Sequence, residues 1–239
     1  MRLLHRLPAR LATSLAAFAL TLPIGAAQAA ESLNLHTVAI ISALTDSIHL
    51  EETGWTIFDY QNDAVPLPGW GIDARIEKEI ASQISAAQTT IASVDTKKLA
   101  DCEDFKACAA LLPKTSEIDA YVVVLKDETL GFSPRDRWSG IGLFHGQGFS
   151  DRFKAVLHVI YTIAVIDAKT GRIIRSEQGR LSETVFGGEH SKPTTSLNPN
   201  IWPGDGSKMT EEQKNTVKSA AIPLIEDSLR FTLKELGLR

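Results

Sequence analysis

The chain has 239 residues, of which 44% are hydrophobic, and it carries a formal net charge of −4 at pH 7. A chain of this length can form one domain with a buried core of its own. The acidic balance and the lack of a lysine–arginine run argue against electrostatic binding to nucleic acid or to an anionic membrane.

The first 29 residues have the pattern of a secretory signal peptide. Three arginines precede a short apolar run over residues 11–22, and the small residues Ala27 and Ala29 mark a cleavage site. The apolar run is too short to span a membrane, and no cysteine follows it to carry a lipid. We therefore predict cleavage near Ala29/Ala30 and a periplasmic or secreted protein that is not lipid-anchored and has no integral membrane segment. Removal of the three arginines leaves 22 basic residues against 29 acidic ones, a net charge of about −7.

The two cysteines, Cys102 and Cys108, are predicted to form a disulfide bond. An oxidising compartment favours this pairing, and the spacing fits neither a Cys-x-x-Cys redox motif nor a zinc site. Six residues of ideal helix rise about 9 Å, which exceeds the usual Cα separation in a disulfide. The bond therefore requires that Cys102 lies in a turn before the helix, or that the helix is irregular there. A catalytic thiol is the alternative, but no histidine is close in sequence to serve as its base.

The mature chain, residues 30–239, is predicted to form a single α/β domain with a mixed sheet. Runs of β-branched and aromatic residues predict strands in its first half. These strands cover residues 35–44, 47–52, 55–60, 89–94 and 118–125. The first two are expected to pair, and residues 61–71 are expected to form a loop. The last strand is almost continuously apolar, which is typical of a strand buried on both faces.

Two helices are predicted between these strands. Isoleucine recurs at every fourth position from Ile72 to Ile84 with polar residues between, which gives one apolar stripe on a polar helix. An Asp-Thr pair can cap a second helix over residues 95–112, which ends before Pro113. This second helix and its two flanking strands predict a βαβ unit with a right-handed crossover.

A long β-hairpin is predicted in the second half of the chain. Residues 154–167 and 172–186 form its strands, and the turn between them ends in Gly171, which suits a left-handed conformation. The stretch SGIGLFHGQGF, residues 139–149, is expected to pair with the first of these strands. Its glycines lack the lysine of a phosphate-binding loop and the strand–helix context of a dinucleotide site. We therefore expect no nucleotide and no other cofactor.

The last part of the mature chain is predicted to be a loop followed by a helix. Residues 187–208 are polar and rich in glycine and proline, which favours a long loop. A helix is predicted from Met209 to about Leu236, with Thr210 as its cap and Pro223 as a kink or break.

The order of these elements resembles that of small α/β domains in exported bacterial envelope proteins, including proteins of unknown function. The segments that carry the resemblance are VAIISAL, the GWGID turn, IDAYVVVL and VIDAKTG. Similar orders occur in the amino-terminal domain of the translocation protein TolB and in the periplasmic domain of the curli secretion lipoprotein. The resemblance implies an envelope module for binding or assembly rather than an enzyme. The chain lacks a lipobox and a pore-forming hairpin, so a channel function does not carry over.

No motif in the sequence identifies a reaction. The chain has no Gly-x-Ser-x-Gly elbow, and no histidine pair has the spacing of a zinc protease. Asp136, Arg137 and His145 are the polar candidates for a site that only folding would assemble, because triads are defined by geometry. The alternative for these three residues is a solvated loop.

Two further histidines, His49 and His158, lie in predicted strands. His49 shares one strand face with Glu51, an arrangement that is compatible with metal binding but common by chance, and no metal site is predicted. His158 lies in an apolar strand, where a hydrogen-bonded histidine within the sheet is the expected role.

Three tryptophans, Trp70, Trp138 and Trp202, lie in or beside loops that contain glycine or proline. Such side chains either cover an edge of the core or contact a partner or a sugar ring. Covering the core is favoured, because an exposed indole is costly in water.

The leading hypothesis is a non-catalytic envelope module that binds a protein partner or assembles with itself. The alternative is a module that binds a glycan or small ligand at the loop tryptophans, and a hydrolase is third. A partner-binding surface predicts exposed apolar residues, whereas a ligand site predicts a concave pocket with converging polar groups.

Overall fold

The computed structural model describes most of the chain beyond residue 31. The described ranges are 32–44, 47–53, 60–86, 88–92, 94–102, 104–131, 136–147, 153–182, 192–203 and 209–239. The predicted signal peptide and most of the strand predicted over residues 55–60 lie outside these ranges.

Ten strands and four α-helices form the described part of the chain, with one 3-10 helix at Pro199–Ile201. The strands are β1 (Thr37–Ala43), β2 (Ser47–Thr53), β3 (Tyr60–Pro66), β4 (Gln88–Ile91), β5 (Ala120–Lys126), β6 (Glu128–Leu130), β7 (Arg137–Gln147), β8 (Phe153–Asp167), β9 (Ile173–Gln178) and β10 (Thr194–Leu197). The helices are α1 (Ile72–Gln83), α2 (Thr96–Ala100), α3 (Phe105–Leu111) and α4 (Glu211–Glu235).

The strands form one mixed sheet in the order β3-β2-β7-β8-β5-β1-β4, with β6 paired to β7 and both β9 and β10 paired to β8. Strands β4 and β5 run parallel to β1 on either side of it, whereas β8 is antiparallel to both β5 and β7. The predicted α/β class with a mixed sheet and one domain is therefore confirmed. The predicted βαβ unit from β4 to β5 is present, with β1 inserted between its two strands.

Helices α1 and α4 cover one face of the sheet. The predicted isoleucine stripe of α1 is buried there, with Ile72, Ile76 and Ile80 against the apolar side chains of β1, β5 and β8. Each such side chain contributes about 1.5–3 kcal/mol when it leaves water. The opposite face is covered over β1 and β5 by α2 and α3. Its other half, over β7 and β8, carries a smaller cluster that contains Trp138 and Phe144.

The long hairpin is present as predicted, although its second strand, β9, ends at Gln178 within the predicted range 172–186. Strand β8 turns at Asp167, whose side chain accepts hydrogen bonds from Thr170, and returns as β9. Gly171 has a φ of 75°, a left-handed conformation that favours glycine. The stretch from Ser139 is part of β7 and pairs with the first half of β8, as predicted.

Three local predictions are wrong. The segments β1 and β2 do not pair, because β2 lies between β3 and β7 at a distance from β1 in the sheet. Residues 60–66, predicted mainly as a loop, form the polar edge strand β3. The predicted helix over residues 95–112 is divided into α2 and α3, each with its own aspartate cap, Asp95 and Asp104.

The carboxyl-terminal elements also differ in part from prediction. The predicted loop 187–208 contains β10, which pairs with β8, and the 3-10 helix. Helix α4 starts at the capping box of Thr210 and Gln213, as expected from Thr210. The helix continues through Pro223 rather than ending there.

Cys102 and Cys108 form the predicted disulfide, with their Cα atoms 5.6 Å apart. The division of the helix explains how the distance is reached. Cys102 lies in the connection after α2 and Cys108 lies within α3, so the two residues are not separated by continuous helix.

Candidate functional site

The three polar candidates from the sequence, Asp136, Arg137 and His145, do not converge. Successive side chains of β7 point to opposite faces of the sheet, so His145 shares the α1 and α4 face with Leu143, whereas Trp138 lies on the other face. Asp136 is buried beside Trp138 and accepts a hydrogen bond from Thr53 Oγ1 at 3.1 Å. Arg137 is exposed and forms an ion pair with Glu128 at 3.2 Å. Folding therefore does not bring Asp136, Arg137 and His145 together at one point of the sheet.

His145 belongs to a small cluster of its own. Its Nδ1 atom lies 3.0 Å from Oε1 of Glu52 on the neighbouring strand. Its ring stacks on Trp202 with a centroid separation of 5.0 Å and an interplanar angle of 13°. The strand β7 thus holds the segment after β10 against the sheet through this histidine.

The loop tryptophans cover the core. Trp138 is buried among Phe144, Val156 and Ile160. Trp70 and Trp202 are partly buried and pack against the larger core cluster. Each indole therefore contributes apolar contacts within the domain, as the core-covering alternative requires.

A buried acid and a buried base meet on the face that Trp138 covers. Glu51 of β2 and His158 of β8 are fully buried, and Glu51 Oε1 lies 3.9 Å from His158 Nε2. No described residue forms a hydrogen bond with the carboxyl oxygens of Glu51 or with either ring nitrogen of His158. The prediction that His158 is hydrogen-bonded within the sheet is therefore wrong for the residues that the structure describes.

The lack of a side chain at Gly142 leaves room for the His158 ring. Gly142 lies between His49 on β2 and His158 on β8 in the strand register. A Cβ atom at this position would overlap the His158 imidazole. The missing side chain lets the ring lie across β7 toward Glu51, while Trp138 packs against the ring at 4.9 Å between centroids.

Burial keeps both members of this pair neutral. Desolvation raises the pKa of Glu51 to about 8, with smaller contributions from the charges of Asp136 and Glu128. Desolvation lowers the pKa of His158 to about 3, and the nearby His49 adds to the effect. At neutral pH the pair is a carboxylic acid beside an uncharged imidazole, since a charge at either site would lose its hydration.

His49 is a further titratable side chain on this face. The pKa of His49 is lowered by burial and then by the charge of Lys126, while a hydrogen bond from the ring to the Asn62 side chain acts in the opposite sense. No group of three or more histidine, cysteine or acidic side chains within the described ranges has the arrangement of a metal site.

Two surface cavities lie away from this pair. Cavities of about 420 and 580 Å³ adjoin the start of α4 and share Glu212 and Thr216 in their walls. Neither Glu51 nor His158 lines them. Both side chains of the acid–base pair are fully buried, whereas catalysis by such a pair requires that a substrate reach it.

Strand β4 is an exposed edge of the sheet. All four of its residues, Gln88, Thr89, Thr90 and Ile91, are exposed, and Ile91 retains 58% of its accessible surface. Its partner among the described strands is β1, and the N–H groups of Gln88 and Ala92 donate to the carbonyl groups of His36 and Ile40. Because backbone groups alternate in direction along a strand, Thr89 and Ile91 direct their N–H and C=O groups away from the sheet.

The solved structures that the chain resembles include two of low similarity. One is a dodecamer of a substituted PelC from Paraburkholderia phytofirmans, with 12% identity, coverage of 88% of this chain and 94% of that chain, and a TM-score of 0.32. The other is protein XCC0632 of DUF330 from Xanthomonas campestris, with 9% identity, 87% coverage of each chain and a TM-score of 0.30. The chain matches no protein-family model and no curated protein.

Proposed function

We propose that this protein is a non-catalytic, exported module that binds another protein chain, either a partner or a second copy, through the edge strand β4. Export is proposed from the signal-peptide pattern of residues 1–29. Within the described ranges, no helix combines the length and apolarity that a membrane span requires. The observation that carries the binding function is the exposed and uncharged outer edge of β4.

The two ends of the sheet differ in their protection. Natural sheets protect exposed edges with charges, prolines or bulges, because unpaired backbone groups can accept another strand. Strand β3 at one end contains Asp63 and ends at Pro66. Strand β4 at the other end has no charged residue and no proline, and it carries the exposed Ile91. An extended segment of another chain can therefore add to β4 by backbone hydrogen bonding.

The internal polar groups favour this function over hydrolysis. Asp136 and His145 lie on opposite faces of the sheet, and the Glu51–His158 pair is buried. The described tryptophans pack within the domain, so they do not favour the glycan-binding alternative.

The test compares Ile91→Lys with Ile174→Lys. Ile174 is also an exposed isoleucine on a strand, at 40% exposure, but it lies on β9. We expect crosslinked complexes from the native envelope, or oligomers of the purified protein, to be lost with Ile91→Lys and retained with Ile174→Lys. Equal complex formation by wild type and Ile91→Lys, at unchanged thermal stability, would contradict binding through β4.

A further inference from the structure

We propose that the occupant of the β4 edge is β4 of a second copy of this chain, paired antiparallel about a two-fold axis at Thr90. This inference rests on the proposed function, because it assigns the chain that binds at the same edge. The sheets of the two copies would then join into one continuous sheet.

The backbone of β4 is self-complementary in this register. Thr89 and Ile91 carry the outward-directed backbone groups, and Thr90 lies between them. Rotation about an axis at Thr90 places Thr89 opposite Ile91 of the second copy, and Ile91 opposite Thr89. Outward-directed residues that face each other in an antiparallel pair exchange both N–H···O bonds. The register at Thr90 therefore satisfies every outward backbone group of the described strand.

The side chains are compatible with the same register. Thr89 and Ile91 lie on one face, where the threonine methyl group of one copy meets the isoleucine of the other. Thr90 faces Thr90 of the second copy on the opposite face, a favourable cross-strand pair. Because β4 contains no ionisable residue, the symmetric contact brings no like charges directly opposite each other, as a charged edge would.

A two-fold contact predicts a specific crosslink. Residues at the axis form a non-hydrogen-bonded pair with Cα atoms about 4.5 Å apart, within the range that a disulfide spans. Thr90→Cys in the full exported protein should therefore give a disulfide-linked dimer under mild oxidation, with Cys102 and Cys108 still joined to each other. Thr89→Cys is the matched control, because position 89 faces position 91 rather than itself.

We expect a dimer yield at least ten-fold higher for Thr90→Cys than for Thr89→Cys. Adding Ile91→Lys to Thr90→Cys should abolish the dimer. Peptide mapping should locate the link between the two introduced cysteines. Equal or absent crosslinking at both positions would overturn the two-fold register.

The proposed function can fail separately from this inference. If Thr90→Cys does not crosslink while Ile91→Lys still removes a complex with a different chain, self-pairing is wrong and binding at β4 stands. If Ile91→Lys changes neither the crosslink nor any complex, both proposals are wrong.

Discussion

At the residue scale, the main finding is the neutral pair of Glu51 and His158. Burying a carboxylic acid and an imidazole without hydrogen-bond partners destabilises the folded state. The cost depends on pH, because each group is protonated differently in the unfolded chain. The pair therefore predicts how stability changes with pH.

The pH dependence follows from the two opposite shifts. The pKa of Glu51 rises from 4.5 to about 8 on folding, so its contribution to stability falls as pH rises between these values. The pKa of His158 falls from 6.5 to about 3, so its contribution rises with pH between about 3 and 6.5. The slopes oppose each other from about 4.5 to 6.5, and maximum stability is expected there.

Glu51→Gln tests whether Glu51 causes the loss of stability above about pH 6.5. Between pH 6.5 and 8, ionisation in the unfolded chain should cost the wild type on the order of 2 kcal/mol through Glu51. In the variant, the free energy of unfolding should no longer fall over this pH range. It should still rise with pH in the acid range, where His158 and His49 both contribute. Urea denaturation at pH 5.5, 6.5 and 8 measures the difference. The pKa of Glu77 is also raised by burial, in both proteins alike, so an unchanged slope in Glu51→Gln would contradict the assignment to Glu51.

Gly142 offers a second residue-scale prediction. Gly142→Ala should destabilise the protein by about 1–3 kcal/mol, because the added methyl overlaps the His158 ring between two fixed strands. In the His158→Ala background the same change should cost little, since the ring is gone and alanine restricts the unfolded chain. A double-mutant cycle in urea measures this coupling. Additive losses would show that His158 does not lie across Gly142.

Sequence alone could reach part of this site. The alternation along β2 places His49 and Glu51 on one face, and the glycines of β7 predict close approach of another group. The identity of that group, His158, depends on the register of β7 against β8, which no local pattern encodes. The separation of Asp136 from His145 likewise follows from the sheet, although both residues are close in sequence.

At the element scale, the disulfide stabilises the broken helix between β4 and β5. It closes a short loop, with a sequence separation of 6, so the chain-entropy contribution should be about 2 kcal/mol. Cys102→Ala/Cys108→Ala should lower the free energy of unfolding by this amount, and wild type under reducing conditions should match it. Protein from the periplasm should show no thiol that reacts with an alkylating agent before reduction. Two reactive thiols in native protein would contradict the bond.

The elements that were predicted correctly have strong local signals. The isoleucine stripe specifies α1, the apolar run specifies β5, and the Asp167–Gly171 turn specifies the long hairpin. Strand β3 was missed because an edge strand with one face in water can be polar. The pairing of β2 with β7 was missed because it joins segments that lie far apart in the chain, and tertiary packing rather than local pattern decides it.

At the scale of the whole molecule, the mature chain carries a net charge of about −7 if residues 1–29 are removed. Two copies therefore repel each other at long range. The β4 contact contains no ion pair that added salt could weaken. Salt shortens the Debye length from about 30 Å at 0.01 M to about 8 Å at 0.15 M. Added salt should thus strengthen self-association, the opposite of its effect on an interface held by ion pairs.

Sedimentation equilibrium in 0.01 M and 0.15 M salt measures this effect. We expect the dimer dissociation constant to fall several-fold as salt is added, because repulsion is screened and the backbone hydrogen bonds and the Ile91 contact are retained. Ile174→Lys should follow the wild type, and Ile91→Lys should remain monomeric at both concentrations, since its charge lies at the edge itself. A dimer that weakens with added salt would place attractive charges in the interface, and β4, which has none, could not then be the contact.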